Sequence, residues 1–157
     1  MSMLMRTQTR ILWPAAVLFA AMIAAPLTVR AQQARTVDGL RINIGVVTTA
    51  WAKHFEEESV THPNLGKPGH DHHLVVSLTD AKTGTHLADA EVRAEVRSPD
   101  RSVETKKLMP RVTSGVPDYS EIFDMHEAGR YRITVYVKTK AHAKPLVARF
   151  AWTNNAD

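Results

Sequence analysis

Histidine is the side chain in this chain of 157 residues whose type and spacing most readily support chemistry, and it occurs eight times. The dense cluster is His70-Asp71-His72-His73, and His54, His62, His86, His126 and His142 are dispersed around it. Imidazole is a good ligand for Cu(II), Zn(II) and Ni(II), and near pH 7 it binds as the neutral base. In an extended chain alternate side chains share a face, which groups His70 with His72 and Asp71 with His73. Such a cluster binds these ions weakly even without structure, whereas a tight site recruits residues from other strands. Met109, Met125, His126 and His142 are the candidates for recruitment, because thioether sulfur favours Cu(I) and mixed Met/His sets suit copper that changes oxidation state. The competing reading makes the cluster a solvated loop end and gives the two methionines their commoner use as core filling. His54 and His62 lie among Glu56, Glu57 and Glu58, where they serve as a flap over a site or as solvated residues, and His86 reads as surface.

Other chemistries lack their residues. The chain has no cysteine, which removes thiolate metal sites, Fe–S clusters and cysteine nucleophiles. No G-x-S-x-G elbow, H-E-x-x-H pair or glycine-rich phosphate loop occurs. Nucleic-acid binding needs a basic stripe with interleaved aromatics, and none is visible. Glu91, Arg93, Glu95 and Arg97 put both signs of charge on one strand face, a pattern that by itself favours solubility. We therefore expect no enzyme and no nucleic-acid partner.

The elements that must position the histidines are short strands. Gly39 to Val47 alternates Leu40, Ile42, Ile44 and Val46 against polar residues and glycine, the mark of a strand with one buried face. His73 to Thr79, Asp89 to Arg97, Lys106 to Val112, Ser120 to Met125, Arg130 to Thr139 and Pro145 to Thr153 read as further strands. Pro110 places its strand at an edge or a bulge. Residues 32–38 read as a loose polar end, 48–70 as a long loop with one helical turn near Trp51, and Ser114 to Asp118 as a loop. About seven strands separated by turn residues predict an all-β fold, a single immunoglobulin-like antiparallel β-sandwich. Glu127-Ala128-Gly129-Arg130-Tyr131 is similar to the turn that carries the tyrosine corner of such domains.

Upstream of this domain, Arg6 and Arg10 precede the apolar run Ile11 to Leu27, and Val29-Arg30-Ala31 supplies a small-residue cleavage site. These features predict a signal peptide over 1–31 and a sandwich domain over 32–157, with an uncleaved anchor helix as the rival. Arg6, Arg10 and Arg30 are the only charged residues of the leader, so the formal charge of +4 falls to +1 once it is removed. The basic balance of the whole chain is thus largely a property of the leader.

Several blocks resemble the periplasmic iron-transport-associated copper-binding family: Asp71-His72-His73-Leu74, Met109-Pro110-Arg111-Val112, Pro117-Asp118-Tyr119 through Met125, and Gly129-Arg130-Tyr131. The resemblance implies an immunoglobulin-like sandwich, often dimeric, that works with an inner-membrane permease and binds copper through histidines and a methionine. It places a ligand at His73 and, by position, at His142. The family's methionine falls on Arg111 and its middle histidine on Asp118. Arg111 sets a fixed positive charge where a cation would sit, while Asp118 retains a hard oxygen donor. The resulting expectation is a metal-binding accessory protein for copper, with iron or zinc as alternatives. Its ligands are drawn from His70, His72, His73, Asp118, His142 and Met125, and a homodimer is an accompanying expectation. The alternative is a cell-envelope interaction module without a metal site. Mass spectrometry of the exported protein is expected to show a chain beginning at Gln32, and an intact Met1 would overturn the cleavage.

Overall fold

Alternation of apolar and polar residues builds almost every element. The computed structural model describes residues 33–48 and 71–155. The expectations for the leader and for 49–70, including His54, His62 and His70, lie outside the described residues. Eight strands form: β1 (Gln33–Val37), β2 (Leu40–Thr48), β3 (Asp71–Asp80), β4 (Glu91–Arg97), β5 (Val103–Thr113), β6 (Val116–Asp124), β7 (Gly129–Lys138) and β8 (Leu146–Asn154). All pairings are antiparallel, and there is no helix among the described residues.

The strand order is β1-β2-β3-β6-β5-β4-β7-β8. The order folds into an antiparallel sandwich because β5 belongs to both layers. Its Val103–Leu108 half pairs with β4 and its Met109–Thr113 half pairs with β6. Pro110 lies in the second half, which among the described residues has β6 as its one ladder partner, so it stands at an edge as expected. The far edges of the two layers approach as well, where the Gln33 side-chain amide donates to the Ala151 carbonyl.

The inner faces carry the predicted apolar sets. Leu40, Ile42, Ile44, Val46, Leu74, Val76 and Leu78 meet Val92, Ala94, Val96, Ile133, Val135 and Val137 in one buried cluster. Two readings are corrected. The stretch expected as a loose end forms β1, because Asp38 and Gly39 adopt φ of 46° and 79° and make the two-residue turn of a β-hairpin. Ser114 and Gly115 repeat the device at φ 50° and 78°, so the expected loop shrinks to two residues and Asp118 lies within β6.

The corner before β7 carries the expected tyrosine bond: the Tyr131 hydroxyl donates to the Glu127 carbonyl at 3.0 Å. Gly129 permits the approach, since its φ is 133° and an added Cβ would lie 2.9 Å from Pro99 Cγ. Burial pushes the Tyr131 hydroxyl up from 10.0 to about 12. Below pH 10 the folded and unfolded chains both hold that proton, and the stabilisation is complete. It is lost as pH rises toward 12, because the unfolded chain ionises first. Tyr131→Phe is expected to cost about 1 kcal/mol in urea unfolding at pH 7, and its stability is expected to fall less than that of the parent between pH 10 and 12.

Candidate metal centre

The two histidines of the cluster that are described, His72 and His73, are consecutive on β3, and a strand sends consecutive side chains to opposite faces. His72 continues the inward series of Leu74, Val76 and Leu78. It lies across from Thr48 on β2 and Phe123 on β6, with its ring edge-on to Trp152 at 5.0 Å. Trp152 in turn tilts against Tyr131 at 5.4 Å. His72 thus closes one end of the core.

His73 faces the other way, onto the outer surface of the β2-β3-β6 layer. It is nevertheless only 4 % exposed, and so are its outward neighbours on β6: Asp118 at 7 %, Ser120 at 6 % and Ile122 at 8 %. The sheet register arranges this face in rows. Val47, His73 and Ile122 form the first row. Gly45, Val75, Ser120 and Met109 form the second. The third contains Asn43, Ser77, Asp118 and Arg111, with Asn43 Nδ2 donating to Ser77 Oγ at 3.3 Å and Arg111 directly opposite Asp118.

At roughly 3.3 Å per residue, His73 and Asp118 stand about 13 Å apart along the strands, with the row of Ser120 midway. That middle row is built from small side chains at two positions. A Cβ added to Gly45 would meet nothing within 4 Å. The Asp118 Oδ1 oxygen is buried and has no hydrogen-bond partner among the described residues. Met109 flanks Ser120 and is 47 % exposed, leaving its thioether accessible. An imidazole, a carboxylate and a thioether therefore share one face around a row of small residues. These donor types suit a borderline or soft cation, but with their rows about 13 Å apart His73 and Asp118 do not meet on one ion. Arg111 counts against a cation here, because the register puts its fixed positive charge on the same face, opposite Asp118.

The remaining expected residues lie elsewhere. Met125 is fully buried in the core cluster, where it serves as filling, and its carbonyl accepts from Asn154 Nδ2 at 3.1 Å. His142 lies between β7 and β8, with Nδ1 at 2.8 Å from Thr139 Oγ1. It is beyond the Lys138 end of β7, whereas Trp152 and His72 pack at the Tyr131 end, about 23 Å away at roughly 3.3 Å per residue. His126 is exposed and held against Asp124. His86, expected as plain surface, makes an isolated bridge to Thr79 and is exposed. One ion cannot take both His72 and His73 from a paired β3, and none near them reaches His142. Among the described residues, no three His, Asp or Glu side chains cluster closely enough to hold a metal ion.

Sequence reading missed the buried outer face of β6. Its trace is the adjacent pair Ile122-Phe123, since two consecutive apolar residues in a strand mean that both faces are covered.

No family model matches this chain, and no curated protein matches it. Solved structures do. FetP from uropathogenic Escherichia coli, expressed in the periplasm, is 15 % identical and aligns over 79 % of this chain and 93 % of its own, with a TM-score of 0.62. Copper-reconstituted P19 from Campylobacter jejuni is 14 % identical over 79 % and 94 % of the two chains, with a TM-score of 0.61. A DUF4426 family protein from Pseudomonas aeruginosa PAO1 is 13 % identical over 80 % and 99 %, with a TM-score of 0.62. The chain therefore has the sandwich fold of these proteins along nearly their whole length, the fold expected from the blocks around His73, Pro110 and Tyr131.

Proposed function

We propose that this is a non-enzymatic periplasmic protein that handles copper, with the ion held on the outer face of the β3–β6 pair. The observation that carries the proposal is the burial of His73 and Asp118 on one outward face, on either side of the small-residue row at Ser120. A buried carboxylate is rarely left without a partner, and Asp118 Oδ1 has no hydrogen bond among the described residues. The fold is that of copper-bound FetP and P19, which favours copper over the zinc and iron alternatives.

In this reading His73 is the nitrogen ligand, and Ser120 and Met109, one row along that face, are nearer to it than Asp118. His54, His62 and His70 lie between Thr48 and Asp71 in the chain, outside the described residues, and are not assigned to the site. Copper is cargo here, passed on in the service of an inner-membrane permease, and a homodimer is compatible with the sandwich. His72, Met125 and His142 are not assigned as ligands of this site. Arg111 weakens the site by charge and by occupying the position where the resembling family has its thioether.

Copper titration of the protein purified without chelator is expected to show one saturable site. His73→Ala should weaken it at least ~10-fold, the scale of losing a supporting contact at a metal site, whereas His142→Ala should leave it unchanged. Saturable binding that is insensitive to His73→Ala, or no saturable binding, would remove the proposal. Arg111→Met removes the competing charge and adds a soft donor, so it is expected to tighten Cu(I) binding by about 10-fold or more, on the scale of roughly 1.4 kcal/mol per factor of ten. An unchanged affinity would show that Arg111 turns away from the ion.

A further inference from the structure

The outer face of the opposite layer has a different chemistry. On β4 alone, charges of both signs alternate, which reads as a solvated surface. Pairing with β7 and β8 changes the local balance. Arg97 stands directly opposite Arg132, Glu95 opposite Thr134, and Thr134 opposite Arg149. Arg130 enters one step further along β7, and Arg35 reaches over from β1, with its guanidinium 5.8 Å from the centre of the Phe150 ring. Arg35, Arg97, Arg130, Arg132 and Arg149 line one open depression of about 450 Å³, and Glu95 is the one carboxylate among its described lining residues.

The Glu95–Arg97 contact is long, at 3.8 Å, so it neutralises little of this charge. Guanidinium does not deprotonate in proteins. Like charges directly opposite across a strand pair destabilise the sheet, and the Arg97–Arg132 pairing is such a case. The excess of four positive charges at this depression contrasts with a formal charge of only +1 on residues 32–157, so the charge is concentrated here rather than spread over the domain. Of the described exposed large apolar residues, Val103 lies directly across from Arg97 at the rim of this face, whereas Met109, Val112 and Val116 belong to the other layer. The apolar lining, Ile133, Phe150 and Ala151, is mostly buried beneath the arginines, so the recognition available is chiefly ionic and bidentate.

We propose that this depression is a binding site for a multiply charged phosphate-bearing ligand. Arginine's planar fork matches phosphate oxygens two at a time; a terminal phosphate brings about 1.5 to 2 negative charges, so two would balance the site, whereas a lipid phosphodiester brings one and several headgroups would be needed. A soluble di- or polyphosphate and the headgroups of an anionic lipid surface share this chemistry. The site is independent of the copper face, which lies on the other layer.

Calorimetric titration of the purified protein with inorganic pyrophosphate at low salt is expected to show one saturable site. Arg97→Gln combined with Arg132→Gln should weaken it at least 10-fold, and Arg149→Gln alone should weaken it several-fold. Without ligand, the double variant should melt at the same temperature as the parent or higher, since the opposed like charges are gone. Co-sedimentation with phosphatidylglycerol vesicles, against phosphatidylcholine vesicles as control, distinguishes the sources. Retention that pyrophosphate reverses identifies a lipid headgroup, and pyrophosphate binding without retention identifies a soluble phosphate. No saturable binding to pyrophosphate and no retention on vesicles would overturn the site, as would equal binding by the parent, the double variant and Arg149→Gln.

Discussion

The pleat of β3 is the constraint on which the rest of the site depends. Leu74, Val76 and Leu78 enter the core from alternate positions, and at about 1.5–3 kcal/mol each for full burial they hold the strand's register with roughly 5–9 kcal/mol. That is comparable to the whole stability of an ordinary domain. A slip by one residue would put all three in solvent, so it does not occur. The same register sends His72 inward against Trp152 and His73 outward. The division of the histidine pair is therefore a by-product of core packing, and it decides which imidazole is available to an ion. Pairing on both sides, to β2 and to β6, strengthens the constraint.

From that division the molecule acquires two outward surfaces of different character. One layer presents His73, Ser120, Asp118 and Met109, a set of nitrogen, oxygen and sulfur donors with buried members. The other presents arginines from β4, β7 and β8, joined by Arg35 from the adjoining edge strand β1, around one described carboxylate. The apolar core separates them, at the spacing of about 10 Å typical of stacked sheets. The strand that joins the layers, β5, leaves one layer between Leu108 and Met109. That crossing places Met109 and Arg111 on the donor face, so the methionine that flanks Ser120 and the arginine that opposes Asp118 arrive together.

Much of the fold was legible in the residues. Period-two alternation marked β2, β4 and β7, and the Glu127-to-Tyr131 corner was readable from its turn and its tyrosine. What escaped was local and had physical causes. β1 is short and polar with both faces partly exposed, so it lacks an apolar face to announce it; the Asp38-Gly39 turn was its one signal. Asp118 was placed in a loop because Ser114, Gly115 and Pro117 look like loop residues, yet two positive φ values suffice to make the turn. The site was less legible than the fold. Adjacent histidines in a sequence suggest a shared ligand set, but strand geometry separates them. The arginine depression was invisible for the complementary reason: each strand contributes one or two arginines, and only the register brings them together.

Anomalous diffraction from a copper-loaded crystal tests the central claim most directly. The account places the copper peak over the outer face of the β3–β6 pair, within ligand distance of the His73 ring and on the side of His73 toward Ser120. A peak against His142, or in the core beside His72, with none on that face, would contradict it.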